Sequence, residues 1–164
     1  MADPNASPDV LYLTRVCLSM IEEPALAPTM AFVVDHRNPH RGYAIGAIGG
    51  MHYLGIRGAP AVPVLVRCLD DLDEEVAANA AAALGTFVHE SAVCVPALTN
   101  SLRDSRGSVR VGAALGLGGL GESALPAIPA LIKALNDPDQ TVRTEATNAL
   151  QQIAPEALEK ALGH

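Results

Sequence analysis

Hydrophobic residues recur along this sequence with a period of 33 residues. Within each period they follow the three- and four-residue spacing of a helix that is buried on one side. A fixed period of this length indicates a repeat architecture, in which every unit is one supersecondary element. The columns that stay in register are Pro63, Pro96 and Pro129; Leu65, Leu98 and Leu131; Leu69, Leu102 and Leu135; Asp71, Asp104 and Asp137; Val76, Val109 and Val142; Ala80, Ala113 and Ala146; Leu84, Leu117 and Leu150; and Leu54, Phe87, Leu120 and Ile153.

Each unit is predicted to be a hairpin of two helices. The first helix begins in a turn that contains proline, where the missing N–H costs nothing. The aspartates of the following turn can cap the second helix. Small residues occupy one column of the second helices and allow neighbouring helices to approach closely; they are Gly50, Ala83, Gly116 and Ala149. The predicted helices are 9–22, 24–36, 40–55, 59–71, 73–88, 92–104, 106–121, 124–136 and 139–154, and no strand is expected.

The same register predicts one domain over residues 1–164. Its repeats are 24–58, 59–91, 92–123 and 124–155. Residues 9–22 continue the columns backwards as an unpaired second helix that caps the stack, and 156–164 form a charged cap at the other end. Terminal units need a more polar outer face because no neighbour covers them.

The segment from Leu135 to Leu150, together with Val109-Arg110, resembles the HEAT repeat, and most closely the short HEAT-like units of phycobilisome lyases and many bacterial proteins. Ala77 and Ala44 depart from that pattern at the arginine position. The resemblance covers about residues 9–155. It implies an all-α, right-handed α-solenoid of about four and a half hairpins. Because this fold serves scaffolds, chaperones, lyases and hydroxylases, it does not specify a function.

Composition and charge narrow the functions that this sequence can carry. Hydrophobic residues make up 49% of the chain but aromatic residues only 3%, and the net charge is −7. A nucleic-acid partner would require a basic stripe, which is missing, so none is expected. No apolar run reaches the length of about 20 residues that crosses a bilayer, so membrane insertion is not expected either. The first ten residues lack the features of a secretory signal, which favours a cytoplasmic protein.

No catalytic, cofactor or metal site is assigned from the sequence. A HEAT-like hydroxylase class, deoxyhypusine hydroxylase, holds iron with His-Glu pairs, and the corresponding positions here include Thr144-Glu145, so that activity is excluded. The loop with Asp35, His36 and His40 allows a metal or pH-sensitive site. The favoured interpretation is a divergent turn with His36 half-buried. Cysteine spacing fits no metal site, which predicts free thiols.

The side of the second helices that faces away from the predicted core should line the concave surface of the stack. Its middle is apolar, which is typical of an interaction surface. The alternative is that so short a stack buries these residues against adjacent helices. The predicted face comprises Arg41, Ile45, Ile48, His52, Glu74, Ala78, Ala81, Ala82, Val111, Ala114, Leu115, Gly118, Glu122, Thr144, Asn148 and Gln151.

Two functions are compatible with this face. The leading hypothesis is a non-catalytic interaction or scaffold module that binds a protein partner, or a second copy of itself, through the concave surface. The alternative is a lyase-like or chaperone-like protein that handles a small ligand or cofactor.

Overall fold

A computed structural model of the protein describes residues 26–50 and 58–163, and helices are the regular elements within these ranges. The α-helices are α1 (Leu26–Val34), α2 (Arg41–Gly50), α3 (Val62–Cys68), α4 (Glu74–Leu84), α5 (Ser91–Ser101), α6 (Gly107–Gly119), α7 (Ile128–Ala134), α8 (Gln140–Ile153) and α9 (Pro155–Leu162). Short 3-10 helices span Val88–Glu90 and Gly121–Ala127. No strand is present in the described ranges.

The predicted order of helices is confirmed over these ranges, with two internal differences. The helix predicted at 59–71 begins as a 3-10 segment over residues 58–61, and α3 follows it. The helix predicted at 124–136 is divided into the 3-10 helix Gly121–Ala127 and α7. Pro126 lies inside the 3-10 helix, and Pro129 is in the first turn of α7. A backbone N–H group in the first turn has no partner within the helix, so its absence in proline costs nothing. The predicted helix 9–22 lies outside the described residues.

Aspartate caps begin two of the second helices, as the sequence predicts. The Asp73 carboxylate accepts hydrogen bonds from the backbone N–H groups of Glu75 at 3.0 Å and Val76 at 3.4 Å. Asp139 accepts from the N–H of Thr141 at 2.7 Å. Each cap satisfies N–H groups that have no partner within the helix. These caps fix where the second helices start and therefore which side chains they present.

The second helices of successive repeats pack directly against one another. α4 contacts α2 on one side and α6 on the other, and α6 in turn contacts α8, more extensively than the first helices contact each other. We refer to this continuous layer of second helices as the inner wall. The predicted core columns are buried between the two layers, with Leu65, Leu84, Leu98, Leu117, Leu131 and Leu150 fully inaccessible to solvent.

Glycines allow the close packing between α4 and α6. A Cβ atom added at Gly116 would lie 2.5 Å from the carbonyl oxygen of Ala81, and one added at Gly112 would lie 2.4 Å from that of Ala78. Both distances are shorter than a carbon and an oxygen can approach without moving the backbone. The predicted role of the small-residue column is thus confirmed at Gly116.

Arginine–aspartate pairs join consecutive repeats at the turns that precede the second helices. Arg41, at the start of α2, is buried and forms a two-point ion pair with Asp71 of the next repeat. Arg110 of α6 binds Asp137 of the next repeat with both contacts at 2.9 Å. Two-point guanidinium–carboxylate pairs fix geometry as well as charge. The two pairs therefore fix the orientation of one repeat against the next.

Between these two pairs, Ala77 occupies the position that is equivalent to Arg110. Arg106 makes the contact between the repeats there instead. Arg106 binds Asp104 in its own turn at 2.9 and 2.8 Å. The same guanidinium donates to the carbonyl oxygens of Asp71 and Leu69 in the preceding repeat. Arg106 therefore connects the repeats that Ala77 cannot connect.

The aspartates of these turns should make the stack sensitive to acid. Hydrogen bonds from Arg106 are the main cause that lowers the pKa of Asp104 to about 2. Arg41 and Arg110 likewise lower the pKa values of Asp71 and Asp137. A lowered folded-state pKa contributes stability that is complete above the unfolded value of about 4 and is lost as the pH falls toward 2.

We expect the free energy of unfolding, measured by urea denaturation, to fall steeply between about pH 4 and pH 2. Asp104→Asn should reduce the loss of unfolding free energy between pH 4 and pH 2 by about 1–2 kcal/mol. The variant lacks the carboxylate that takes up a proton on unfolding. The control Glu159→Gln removes an exposed carboxylate of α9 and should leave the profile unchanged. Equal slopes for the protein and for Asp104→Asn would contradict this origin of the acid sensitivity.

Candidate functional site

The inner wall of the second helices contains most of the residues predicted to bind a partner, but several of them belong to the core. Ile45 and Ile48 of α2 are completely inaccessible, as are Ala81 and Ala114. Gly118 is also buried, and a Cβ atom added there would lie 3.3 Å from Cα of Ala149. The prediction that these five residues line an exposed surface is therefore wrong.

Packing on two sides of each helix explains this difference. A second helix contacts the first helix of its own hairpin and also the second helices of the adjacent repeats. The buried arc is consequently wider than the single stripe of one amphipathic helix. A helix that is apolar around most of its circumference is a buried helix, and α2, with the sequence RGYAIGAIGG, is of this kind.

Arg41 was predicted to lie on the exposed concave face, and the structure contradicts this as well. Its side chain is buried, and besides the pair with Asp71 its Nε donates to the carbonyl oxygen of Val33 at 2.8 Å. The hydrogen bonds that Arg41 donates to the Asp71 carboxylate are the main cause that raises the pKa of Arg41. Arg41 is therefore a structural cation that joins α1, α2 and the next repeat.

An accessible groove of about 440 Å³ remains on the wall where α4, α6 and the start of α8 meet. Four of the predicted residues, Ala78, Ala82, Val111 and Leu115, line it. Leu115 is 52% exposed, although it lies in the middle of a helix. Part of the predicted face is therefore accessible in this groove, on α4 and α6, whereas no residue of α2 lines the groove.

Five further residues line this groove and were not among the predicted site residues: Asn79, Ser108, Gly112, Asp139 and Thr141. Asp139 and Thr141 belong to the capped start of α8 and were not among the residues of α8 predicted to lie on the concave face. The aspartate cap was recognisable in the sequence, but its position beside the groove depends on how α6 and α8 pack.

The remaining predicted residues occupy the edges of the wall. Glu74 and Glu122 are exposed, as are Thr144, Asn148 and Gln151 of α8. Ser108 donates a hydrogen bond from its hydroxyl to the Glu74 carboxylate, which places Glu74 at one end of the groove. His52 lies outside the described residues. Whether any of these side chains contacts a partner stays a prediction.

The loop between α1 and α2 separates the three side chains considered as a metal or pH-sensitive site. Asp35 accepts from the N–H of Arg37 at 3.0 Å. His36 is 77% exposed on its side chain rather than half-buried, with Nδ1 3.9 Å from a carboxylate oxygen of Asp71. The ring of His40 lies beside that of Tyr43, with centroids 6.1 Å apart. Within the described ranges no three His, Cys, Asp or Glu side chains are arranged to hold a metal ion.

Two cysteines in the described part of the chain, Cys68 and Cys94, are free and buried. Burial is the main cause that raises the pKa of the Cys94 thiol to about 11 and also raises that of Cys68. Both thiols are therefore protonated at neutral pH and poor nucleophiles.

Among the described helices, none alone is long and apolar enough to cross a membrane. The pair Glu74–Leu84 and Val88–Ser101 reaches the required length and composition only together, and it bends by 93° at the break.

Comparison with known families identifies two kinds of helical repeat. Residues 95–163 match the model for HEAT repeats, and residues 56–86 match the model for the armadillo/beta-catenin-like repeat. Comparison with curated protein sequences gives no match. The two matched segments include α4, α6 and α8, which form the groove.

Solved structures with the same fold include natural and designed repeat proteins. The complex of CpcE and CpcF of phycocyanin lyase from Nostoc sp. PCC7120 contains a chain that matches with a TM-score of 0.74 and 22% identity, over 88% of this chain and 91% of that one. A designed armadillo repeat protein in complex with the peptide (KR)4 matches with a TM-score of 0.66 and 22% identity, over 94% and 83% of the two chains. At these identities the likeness shows the fold, an all-helical solenoid.

Proposed function

From the HEAT and armadillo repeats that this chain carries, we propose that it is a non-catalytic interaction module. It binds a protein partner, or a second copy of itself, through the groove between α4, α6 and α8. Repeats of this type typically form protein-interaction scaffolds. The proposal differs from the sequence-based hypothesis in its location, because the isoleucines of α2 do not take part.

The observation that carries the proposal is the exposure of Leu115 in an apolar groove. Single exposed leucines are common on protein surfaces and need no explanation. Leu115 differs because Ala78, Ala82 and Val111 surround it and form a concave apolar surface. Concave apolar surfaces with a few polar groups at the edge are typical of recognition sites.

The polar groups in the groove favour binding over catalysis. Asp139 is occupied as the cap of α8, and the hydroxyl of Ser108 is bound to Glu74. Asn79 donates to the carbonyl oxygen of Gly42 at 3.4 Å. The two similar solved structures are consistent with binding, since one is a complex of two chains and the other holds a peptide.

Substitution of two equally exposed leucines tests the proposal. Leu115 is 52% exposed in the groove, whereas Leu125 is 50% exposed in the 3-10 helix Gly121–Ala127, away from it. Self-association is measured by light scattering, and partner capture is quantified with the protein, Leu115→Glu and Leu125→Glu as baits. Leu115→Glu should abolish an association that Leu125→Glu retains, while the circular dichroism of all three proteins stays the same.

Three results would count against the proposal. Equal loss of association in both variants would show that the groove is not the binding surface. Retention by Leu115→Glu would show that Leu115 is not needed. A purified protein with visible absorbance that Leu115→Glu lacks would favour the alternative, a protein that handles a small ligand.

A further inference from the structure

Successive second helices are in backbone contact near their carboxyl ends. Glycines make this contact possible at three junctions. An added Cβ atom would lie 2.6–3.3 Å from a Cα atom of the adjacent repeat, beside Ala83 for Gly49, beside Gly116 for Gly85 and beside Ala149 for Gly118. Between α4 and α6 the contact begins at Gly112, in the second turn of α6. The repeats therefore have no space between them at this end of the inner wall.

Side chains separate the same helices at their amino ends. A Cβ atom added at Gly42, the second residue of α2, would lie 3.1 Å from Oε1 of Glu75 and 3.1 Å from Nδ2 of Asn79. One added at Gly107, the first residue of α6, would lie 2.7 Å from Oδ2 of Asp139. The nearest atoms around both glycines thus belong to side chains and not to the neighbouring backbone. The groove opens at this end of the wall, beside the starts of α6 and α8.

The two edges of the stack also differ in how the chain joins the repeats. We call the edge with the turns between the first and second helices, which contain Asp71, Asp104 and Asp137, the turn edge. The linker edge comprises residues 85–90 and 120–127, where one hairpin continues into the next. The backbone connects consecutive repeats covalently at the linker edge only. Their spacing at the turn edge therefore depends on non-covalent contacts.

Within the described part of the chain, hydrogen bonds from three arginines connect the turns of the turn edge in one row, which we call the arginine row. Its links run from Arg41 to the carboxylate of Asp71, from Arg106 to the carbonyl oxygen of Asp71 and the carboxylate of Asp104, and from Arg110 to the carbonyl oxygen of Asp104 and the carboxylate of Asp137. Pairs of this kind fix direction as well as distance. The arginine row thus bridges the edge that has no covalent connection.

We propose that the repeats can separate at the turn edge while they stay in contact at the linker edge, and that the arginine row holds the turn edge closed. Protein hinges commonly consist of a few residues at the ends of elements, and the residues of the linker edge have that position. Because the groove lies beside the turn edge, its width changes when this edge opens. The inference concerns the conformation of the stack and holds whether or not the groove binds a partner.

Distances between two spin labels test this proposal on the full chain. Labels are attached to introduced cysteines after the three native ones, Cys17, Cys68 and Cys94, are replaced by alanine. Urea denaturation and circular dichroism show that this background is folded before any distance is compared.

Two label pairs report on the two edges separately. Leu72→Cys with Pro138→Cys spans the turn edge, and His89→Cys with Pro155→Cys spans the linker edge. All four positions are exposed, both pairs are two repeat periods apart, and each pair replaces one proline. We expect a single narrow distance distribution for each pair when the arginine row is intact.

A double variant interrupts the row without leaving a charge unpaired. Arg110→Gln with Asp137→Asn removes both members of one pair, which avoids an uncompensated buried charge. We expect the distance across the turn edge to lengthen and its distribution to broaden, while the distance across the linker edge stays the same. The control, Arg67→Gln with Asp70→Asn, makes the same change of charge at exposed positions outside the row and should alter neither distance.

A second variant tests another link of the row. Arg106→Gln interrupts it where the side chains are more exposed and should lengthen the same turn-edge distance. Unchanged turn-edge distances in both variants would show that the arginine row does not hold this edge. Equal broadening at the two edges would indicate general loosening and overturn the hinge. Loss of helical circular dichroism in both variants would also contradict the proposal, because the opening leaves each helix intact.

Discussion

Replacing Ile48 by aspartate is expected to unfold the amino-terminal part of the stack. Ile48 is completely buried in α2, and the substitution places a carboxylate among apolar neighbours without a partner for its charge. A buried, unpaired charge costs far more than a lost hydrophobic contact. We expect a loss of 4 kcal/mol or more, on the order of the whole stability of a small domain. Circular dichroism and urea denaturation measure this loss.

The matched substitution is Leu115→Asp, which introduces the same carboxylate at a half-exposed position. Its charge remains in contact with water, so we expect a change of less than about 1 kcal/mol in the free energy of unfolding. A folded Ile48→Asp protein with a normal melting curve would contradict the burial of α2. It would also restore Ile48 to the list of candidate binding residues.

Replacing Gly116 by alanine should destabilise the stack, although alanine is the better helix former. An exposed glycine-to-alanine change inside a helix stabilises it by about 0.5–1 kcal/mol. At Gly116 the added methyl group would lie 2.5 Å from the Ala81 carbonyl oxygen and 3.0 Å from Cδ1 of Leu98. α4 and α6 must therefore separate, and we expect a net loss of about 2–3 kcal/mol in urea denaturation.

Gly118→Ala is the control, because it makes the same change two residues later in the same helix. There the nearest atom to an added Cβ is Oε1 of Gln152 at 3.0 Å, at the end of a flexible side chain, and Ala149 Cα follows at 3.3 Å. We expect a change smaller than about 1 kcal/mol. If Gly116→Ala were as stable as Gly118→Ala, the contact between α4 and α6 would be looser than the structure shows.

The fold could be predicted from this sequence because the same pattern of core residues occurs in several successive repeats. The leucines at 65, 98 and 131 occupy equivalent core positions, and each confirms the helix and register of the others. The caps at Asp73 and Asp139 depend only on local sequence. Contacts of this local and repeated kind need no knowledge of how the repeats are packed.

The candidate site could be predicted only in part because its boundaries depend on packing between repeats. The prediction at Leu115 is correct in its exposure, whereas the prediction at Ile48 is wrong, although both are aliphatic residues on the same predicted face. Ile48 is buried because α2 packs against both α1 and α4, whereas Leu115 lies in the groove where α4, α6 and the start of α8 meet. The pairing of Arg41 with Asp71 likewise joins residues of different repeats and leaves no periodic signal.

The different positions of the arginines limit how this array could be shortened or reordered. Excising the 33 residues from 72 to 104 would preserve the periodic sequence and place Ser105 directly after Asp71. Arg106 would then reach Asp71 from within the same turn, while Arg41 already binds that carboxylate from the preceding repeat. Two guanidinium groups would compete for one acceptor. The repeats are alike in length and periodicity, but each has its own contacts with its present neighbours and cannot be exchanged for another.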